Sequence, residues 1–228
     1  PRACLAALNG FAFGLAGVTF QTLLRNPLAS PDIIGISWGA SAAAVLGIVV
    51  VGLTGPAVSI VALLGALAAA AAVYGLSMNG GFAATRLILI GIGLAAMLSS
   101  VVSYTLARAS EWDIAVAFRW ITGSLGDPSW DRVVPLAAVT AVVVPLMLYR
   151  SRDVDALRLG DDTAAGLGVG TERMRLLYVF GAVVLLAFAT AGAGPISFVA
   201  FMSGPIAARL LPKAGGTPLL PAGLVGAL

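Results

Sequence analysis

"LLRNPLASPDIIGISWGA", residues 23–40, opens on a charge, turns on two prolines and re-enters an apolar run through glycines. It lies between two apolar stretches, residues 3–23 and 34–53, that each read as helix. Proline has no N–H to donate and its ring crowds the preceding turn. Pro27 and Pro31 therefore mark a break between two separate segments, with a tightly specified turn joining them.

The rest of the chain explains what those segments are. With 60% hydrophobic and 10% charged residues and a mean hydropathy of +1.02, the 228 residues carry too little polar surface to coat a soluble globule. Further apolar runs cover roughly 56–77, 86–107, 133–149 and 175–194, and a seventh begins near 218. Each is close to the ~20 residues a helix needs to cross a bilayer. Open strands would leave backbone groups unpaired in lipid, and a barrel would need alternating segments of about ten residues. The pattern predicts an all-α, polytopic transmembrane bundle, a single domain over 1–228, with about six full spans.

Glycines recur at four-residue spacing in Gly10/Gly14 and Gly35/Gly39, which lets helices approach closely. All ten carboxylates lie outside the spans, so an ion-coupled secondary transporter, which binds its ion on a carboxylate at membrane depth, is disfavoured. Alternation of sides groups Arg25, Arg86, Arg150, Arg152, Arg158, Arg173 and Arg175 against Arg2, Arg108, Arg119, Arg132, Arg209 and Lys213. The positive-inside rule then favours the first group as cytoplasmic. Two connections exceed a turn. Residues 108–132 interleave charges with Trp112, Phe118, Trp120 and Trp130, as an external helix lying at the interface would. Residues 150–175 read as two short cytoplasmic helices broken by Gly166, Gly168 and Gly170.

The chemistry missing from the sequence is also informative. With no histidine, a single cysteine, Cys4, and no carboxylate within the spans, the chain lacks a credible metal cluster or Ser-His-Asp arrangement, and an enzyme is not expected. The lone lysine, Lys213 in "LPKAGG", is not followed by Ser or Thr, so the chain supplies no Walker A phosphate cradle. The net charge of +3 is accounted for by arginines beside spans, without nucleic acid. Pro1 in place of methionine, and an apolar segment barely begun in "PLLPAGLVGAL", suggest a fragment of a longer chain.

"QTLLRNPLASPDIIGISWGA" strongly resembles the turn between the second and third helices of the FecCD-type permeases, membrane subunits of ATP-binding-cassette (ABC) importers for iron-siderophores, haem and cobalamin. "RWITGSLGDPSW", "LRLGDDTAAGLGV" and "AGPISFVAFMSGPIAARLL" resemble three further family segments in the same order. The resemblance implies the type II importer fold, about ten helices when complete, represented here from the second helix to the start of the eighth. The turn motif would comprise Arg25, Asn26, Pro27, Pro31 and Gly35. Gly160, Asp161, Ala164, Leu167 and Gly168 would couple to the ATPase, where an ordinary loop is the bland alternative. Arg2 would dock the substrate-binding protein or simply anchor at the interface. Ala84, Thr85 and Arg86 would belong to the cytoplasmic gate, and Ser99, Ser100, Ser103 and Thr105 to the pathway wall, unless their hydroxyls only back-bond to their own helix. Trp120, Gly123 and Ser124 would lie near the external mouth. Asn9, Thr19 and Gln21 are read as satisfied packing contacts.

One departure concerns the last motif. Relatives often carry Pro-His-Ile where this chain has Gly204, Pro205 and Ile206, and Arg209 is displaced by an extra alanine; Pro205 still reads as a helix start. The resemblance implies a permease that binds no cofactor of its own, partnered by ATPases holding ATP and Mg, a second permease subunit and an extracytoplasmic binding protein, in a bacterial cytoplasmic membrane. The expected cargo is a ferric siderophore, with haem or cobalamin as the family alternatives. An ion-coupled transporter and a non-transporting scaffold are the rivals outside it.

Overall fold

The computed structural model describes residues 1–30, 35–77, 84–126, 128–196, 198–211 and 216–228. Pro31 and Lys213 lie outside the described residues, as does the side chain of Ala84. Among the described residues eleven helices follow in order: α1 (Arg2–Leu23), α2 (Ile36–Val49), α3 (Pro56–Ser77), α4 (Ala84–Ala107), α5 (Glu111–Ile121), α6 (Trp130–Tyr149), α7 (Ser151–Arg158), α8 (Asp161–Gly166), α9 (Thr171–Ala193), α10 (Val199–Leu210) and α11 (Leu219–Ala227). Five of them, α1, α3, α4, α6 and α9, are long and apolar enough to cross a membrane.

Helices α1 and α9 form the centre, each with 67% of its apolar window buried, while α4 has 17% buried and lies at the periphery. α1 packs on α6, α9, α10 and α11, and α2 pairs chiefly with α3. The contacts of α1 depend on small residues. A Cβ on Gly10 would fall 1.9 Å from the Gly226 carbonyl oxygen, on Gly14 2.3 Å from that of Ala222, and on Gly17 1.8 Å from that of Ala200. The α2–α3 pair repeats the device, since a Cβ on Gly39 would meet the Gly65 oxygen at 2.6 Å. Lipid tails are as apolar as Leu, so such backbone proximity, rather than exclusion of water, holds helices together in a membrane.

The 34–53 reading ran too long. α2 has 14 residues, about 21 Å at 1.5 Å per residue, short of the ~30 Å hydrocarbon layer. Gly35 is the left-handed N-cap of α2 (φ 85) as well as a close contact, a Cβ on it lying 3.3 Å from the Gly91 carbonyl oxygen of α4, and Gly52 (φ 73) and Gly55 (φ 60) bend the chain beyond the end of α2. A second half-length helix, α10, changes the side to which Arg209 is assigned. After α9, the chain turns at Gly194 (φ 78) and dips back into the bundle as 12 residues of helix. The α10 C-terminus arrives beside Arg25 and Asn26, where Ala208 lines a cavity with both. Arg209 thus belongs with the Arg25 group; a count of full-length spans cannot detect a half-span. Pro205 is likewise inside α10 rather than at its start.

The two ends of the bundle differ in how they are held. At the Arg2 end, α5 is capped by Ser110, whose Oγ accepts the Asp113 N–H at 3.2 Å, and it exposes Trp112 and Phe118 as an interfacial helix does. At the other end, the buried Tyr178 hydroxyl of α9 donates to the Met147 carbonyl at 2.5 Å. That oxygen is one of the last four of α6, which have no helical donor.

The packing generates a paired test. Gly17→Val should destabilise the protein by at least about 2 kcal/mol, since its side chain meets backbone that cannot yield. Gly93→Ala, with nothing within 4 Å of the added carbon, should stabilise α4 by up to about 1 kcal/mol. Thermal unfolding in detergent checks both signs.

Candidate functional site

Two helix ends explain how the Arg25 end is built. Helix α1 closes in a Schellman motif: the Arg25 N–H donates to the Thr22 carbonyl at 3.2 Å and the Asn26 N–H to that of Gln21 at 3.0 Å. Helix α8 closes in the same way, with Gly168 N–H on Ala165 and Val169 N–H on Ala164. The motif needs a left-handed residue, and glycine supplies it in α8 (Gly168, φ 80). In α1 the position is Arg25 at φ 50. A side chain there costs about 1 kcal/mol or more in backbone strain, so its contacts identify what the residue is for.

The Arg25 guanidinium donates through Nη2 to the Leu157 carbonyl at 2.9 Å and to Asp161 Oδ1 at 2.7 Å. Arg175, from the first turns of α9, donates to the same Asp161 oxygen at 2.5 Å. Asp161 is the first residue of α8, where a carboxylate also favours the positive end of the helix. Arg175 is 13% exposed, whereas Arg25 and Asp161 are each 47% exposed, so the clamp has a sheltered and a wet side. The hydrogen bond from Arg175 holds the Asp161 carboxyl below its ordinary value of 3.8, opposed by partial burial and helped by the charges of both arginines. The clamp's contribution is therefore complete above that ordinary value and is lost as pH falls through the lower folded-state value.

Two further ties hold the α7–α8 pair. Asp155 Oδ1 accepts both the N–H of Thr217, at 2.5 Å, and its hydroxyl, at 2.7 Å, fixing the start of α11 to α7. Arg150 pairs with Asp153 at 2.8 Å. Gly160 (φ 114) permits the turn between α7 and α8, and Ala164 is fully buried beneath α8. The outer face stays open, with Leu159 67% and Leu167 64% exposed. The result is a short apolar rim, fixed by charges to α1 and α9 and by Thr217 to α11.

The other expected site residues are distributed more widely. Asn26 accepts the Leu28 N–H on its own side chain at 2.9 Å, and with the exposed Pro27 it shapes the turn after Arg25. Arg86, near the exposed Thr85 in the first turn of α4, donates to the Ser77 carbonyl at 3.3 Å and ties α4 to the end of α3; Ala84 opens α4. Ser99 and Ser100 both donate to the Ala96 carbonyl at 2.9 Å and Thr105 to that of Val101 at 2.8 Å, while Ser103 is exposed. These hydroxyls belong to neither end cluster: Ser99 is ~20 Å along α4 from Arg86. Asn9 and Thr19 donate within α1, to Leu5 and Leu15, and Gln21 donates to Phe201 on α10.

At the opposite end, Trp120, Gly123 and Ser124 meet the turn after α9. The Ser124 N–H donates to the Ala193 carbonyl at 2.7 Å. A Cβ on Gly123 (φ 73) would lie 2.6 Å from the Pro195 oxygen, and one on Gly194 would lie 2.5 Å from the Trp120 oxygen. The two turns interlock through their backbones beside a cavity of about 460 Å³ lined in part by Arg119, Trp120 and Arg132. Arg2 stands exposed at the start of α1. The sequence singled out Asp161 and Arg25 separately but neither their meeting nor the part of Arg175, because separations of 14 and 136 residues carry no local signal.

Known proteins resemble this chain in sequence and in fold. The family model described as the FecCD transport family matches residues 1–228. The chain is 40% identical over 210 residues, 92% of its length and 64% of the relative's, to the ferric enterobactin transport system permease protein FepG of Escherichia coli. It is 36% identical, over 92% of this chain and 61% of the other, to the achromobactin transport system permease protein CbrC of Dickeya dadantii. It thus spans a little over three fifths of the length of these relatives. A metal-chelate type ABC transporter solved in an inward-facing conformation superposes with a TM-score of 0.92 at 27% identity, over 100% of this chain and 73% of that one. The PsaBC structure from Streptococcus pneumoniae shares the fold, with a TM-score of 0.65 at 16% identity over 99% of this chain and 77% of that one.

The clamp is tested by Asp161→Asn. Amide exchange in α8 should accelerate several-fold, while global stability falls by no more than about 1 kcal/mol, because the shared carboxylate is half exposed. The dependence of α8 protection on salt, and on pH below 4, should vanish in the variant.

Proposed function

The chain belongs to the FecCD transport family and is an integral membrane protein, and from that premise we propose that it is a permease subunit of an ABC importer that moves a metal chelate, a ferric siderophore in particular, across a bacterial cytoplasmic membrane. The reading is supported by the relatives at 40% and 36% identity, whose names specify ferric enterobactin and achromobactin transport. The iron is cargo. ATP and Mg belong to a partner ATPase, and a second permease subunit and an extracytoplasmic binding protein complete the pathway.

The observation that carries the mechanism is the two-arginine clamp on Asp161. A six-residue helix with an open apolar rim is a suitable docking element, and its ion pairs join it to both central spans. Force applied to α8 therefore reaches α1 and α9 together. The charge pattern supports the orientation: with Arg209 added, eight arginines (25, 86, 150, 152, 158, 173, 175 and 209) stand at the α8 end against four (2, 108, 119 and 132) at the other. Positive charge prefers the cytoplasmic side, so 150–175 is the cytoplasmic coupling segment and 108–132 the external connection. On that external side, Arg2 would meet acidic groups of the binding protein, chiefly aiding encounter and register. The Gly123–Gly194 interlock, with Trp120 and Ser124, would frame the mouth. Arg86 would hold the gate-side end of α4, whose Ser99 and Ser103 lie higher on the same wall. ATP binding and release then bias the pair of permeases between outward- and inward-facing states.

The test uses the full-length permease with its ATPase in proteoliposomes, supplied with binding protein loaded with a ferric catecholate siderophore. Uptake should require ATP and be blocked by vanadate, and Asp161→Arg should lower transport per ATP at least tenfold. Uptake driven by an ion gradient without the ATPase would overturn the reading.

A further inference from the structure

Pro205 is the seventh residue of α10 and lacks an N–H, so the carbonyl of Phe201, four residues back, loses its helical donor. That carbonyl is not left open. The Gln21 side chain crosses from α1, and its Nε2 donates to the Phe201 oxygen at 2.9 Å. The residue before the proline makes room for the amide: a Cβ on Gly204 would lie 2.2 Å from Gln21 Oε1. Gln21 is 7% exposed, so the bond is sheltered from competing water.

The same residue takes part in the cap of α1. Its backbone carbonyl accepts the Asn26 N–H, the bond of wider sequence span in the Schellman motif that presents Arg25 to Asp161. Gln21 is therefore in the α1 cap by its main chain and in the α10 kink by its side chain. Beside the kink is a cavity of about 330 Å³ whose lining includes Gln21, Arg25, Pro205 and Ala208, which gives the last turns of α10 room to tilt.

We infer that Gln21 is a positioning residue that links the α10 kink to the α8 clamp, so that displacement of α8 travels through Arg25 and the α1 cap and tilts the part of α10 beyond Phe201. The inference rests on α8 being the segment the ATPase moves. Its chemistry also yields a discriminating variant. Gln21→Met keeps the volume but leaves the Phe201 carbonyl without a donor. Gln21→Met combined with Pro205→Ala returns a helical N–H to that carbonyl, repairing the local hydrogen bonding without restoring the tie.

The experiment places spin-label pairs on the full-length permease in complex with its ATPase, one from Thr163 in α8 to Tyr149 and one from Leu210 in α10 to Tyr149, and measures each distance before and after trapping with ATP and vanadate. Both distances should shift in the otherwise unaltered protein. In the Gln21→Met/Pro205→Ala double variant, thermal stability and the α8 shift should be retained while the α10 shift falls to less than half. An α10 shift restored in the double variant would mean that Gln21 merely satisfies a carbonyl, and an unaltered shift in Gln21→Met would likewise overturn the inference. An α8 label that stays still before any substitution would instead refute the coupling reading, and this inference with it.

Discussion

The close backbone contact between α1 and its neighbours is the constraint on which the rest of the bundle depends. Gly10 and Gly226 approach so closely that a Cβ on either would collide with the other's carbonyl oxygen, and Gly14 and Gly17 continue the row toward α10. A contact of this kind is selective in register as well as distance, because a shift of one residue would bring a side chain against the opposing backbone. It fixes how far the C-terminal turn of α1 extends, and hence where Arg25 can reach. Only with α1 held at that height can the Arg25 guanidinium reach both the Leu157 carbonyl and the Asp161 carboxylate that Arg175 also holds. A packing rule written in small residues therefore determines an electrostatic arrangement at the end of the helix.

The two ends are joined by different physics. At the Arg2 end, the turn after α5 and the turn after α9 interlock by steric fit, with glycines at positive φ on both sides and a backbone hydrogen bond between them. Such a joint has little tolerance for displacement, since interiors are packed to near-crystalline density. At the Arg25 end, the joints are ion pairs and side-chain hydrogen bonds around partly wet groups, which lengthen and re-form at modest cost. Compliance is thus concentrated where a partner is proposed to push.

Hydropathy made the long spans legible, because a membrane helix must be apolar over nearly its whole length. The half-length elements were harder to read: the apolar run at 34–53 holds a 14-residue helix and the turn beyond it, and α10 is a 12-residue helix that turns back into the bundle, so apolar length alone does not give their extent. Pro205 was read as a helix start on the general behaviour of proline; its interior position is made possible by Gln21, a donor 184 residues earlier in the chain. Gly35 and Gly39 are equivalent by spacing, and both face a neighbouring helix, α4 and α3, but the spacing does not show that Gly35 is also a left-handed cap. At the candidate site, sequence motifs located Asp161 and Arg25 separately. Their meeting, and the addition of Arg175, depend on the packing of α1 against α9, which no local pattern encodes.

Arg25 bears on how such a protein could be engineered. By backbone preference the position asks for glycine, and any stabilisation strategy guided by local propensity would select it for replacement. Relief of the left-handed strain would raise the stability of the isolated helix end, so the variant would score as an improvement in a melting assay. The same change would remove the guanidinium that joins α1 to α7 and α8. The chain thus retains a locally unfavourable residue where the fold alone would be better without it, the usual trade-off between robustness and work. Screens for thermostable forms of the protein would be expected to drift toward well-folded but mechanically disconnected variants at this position.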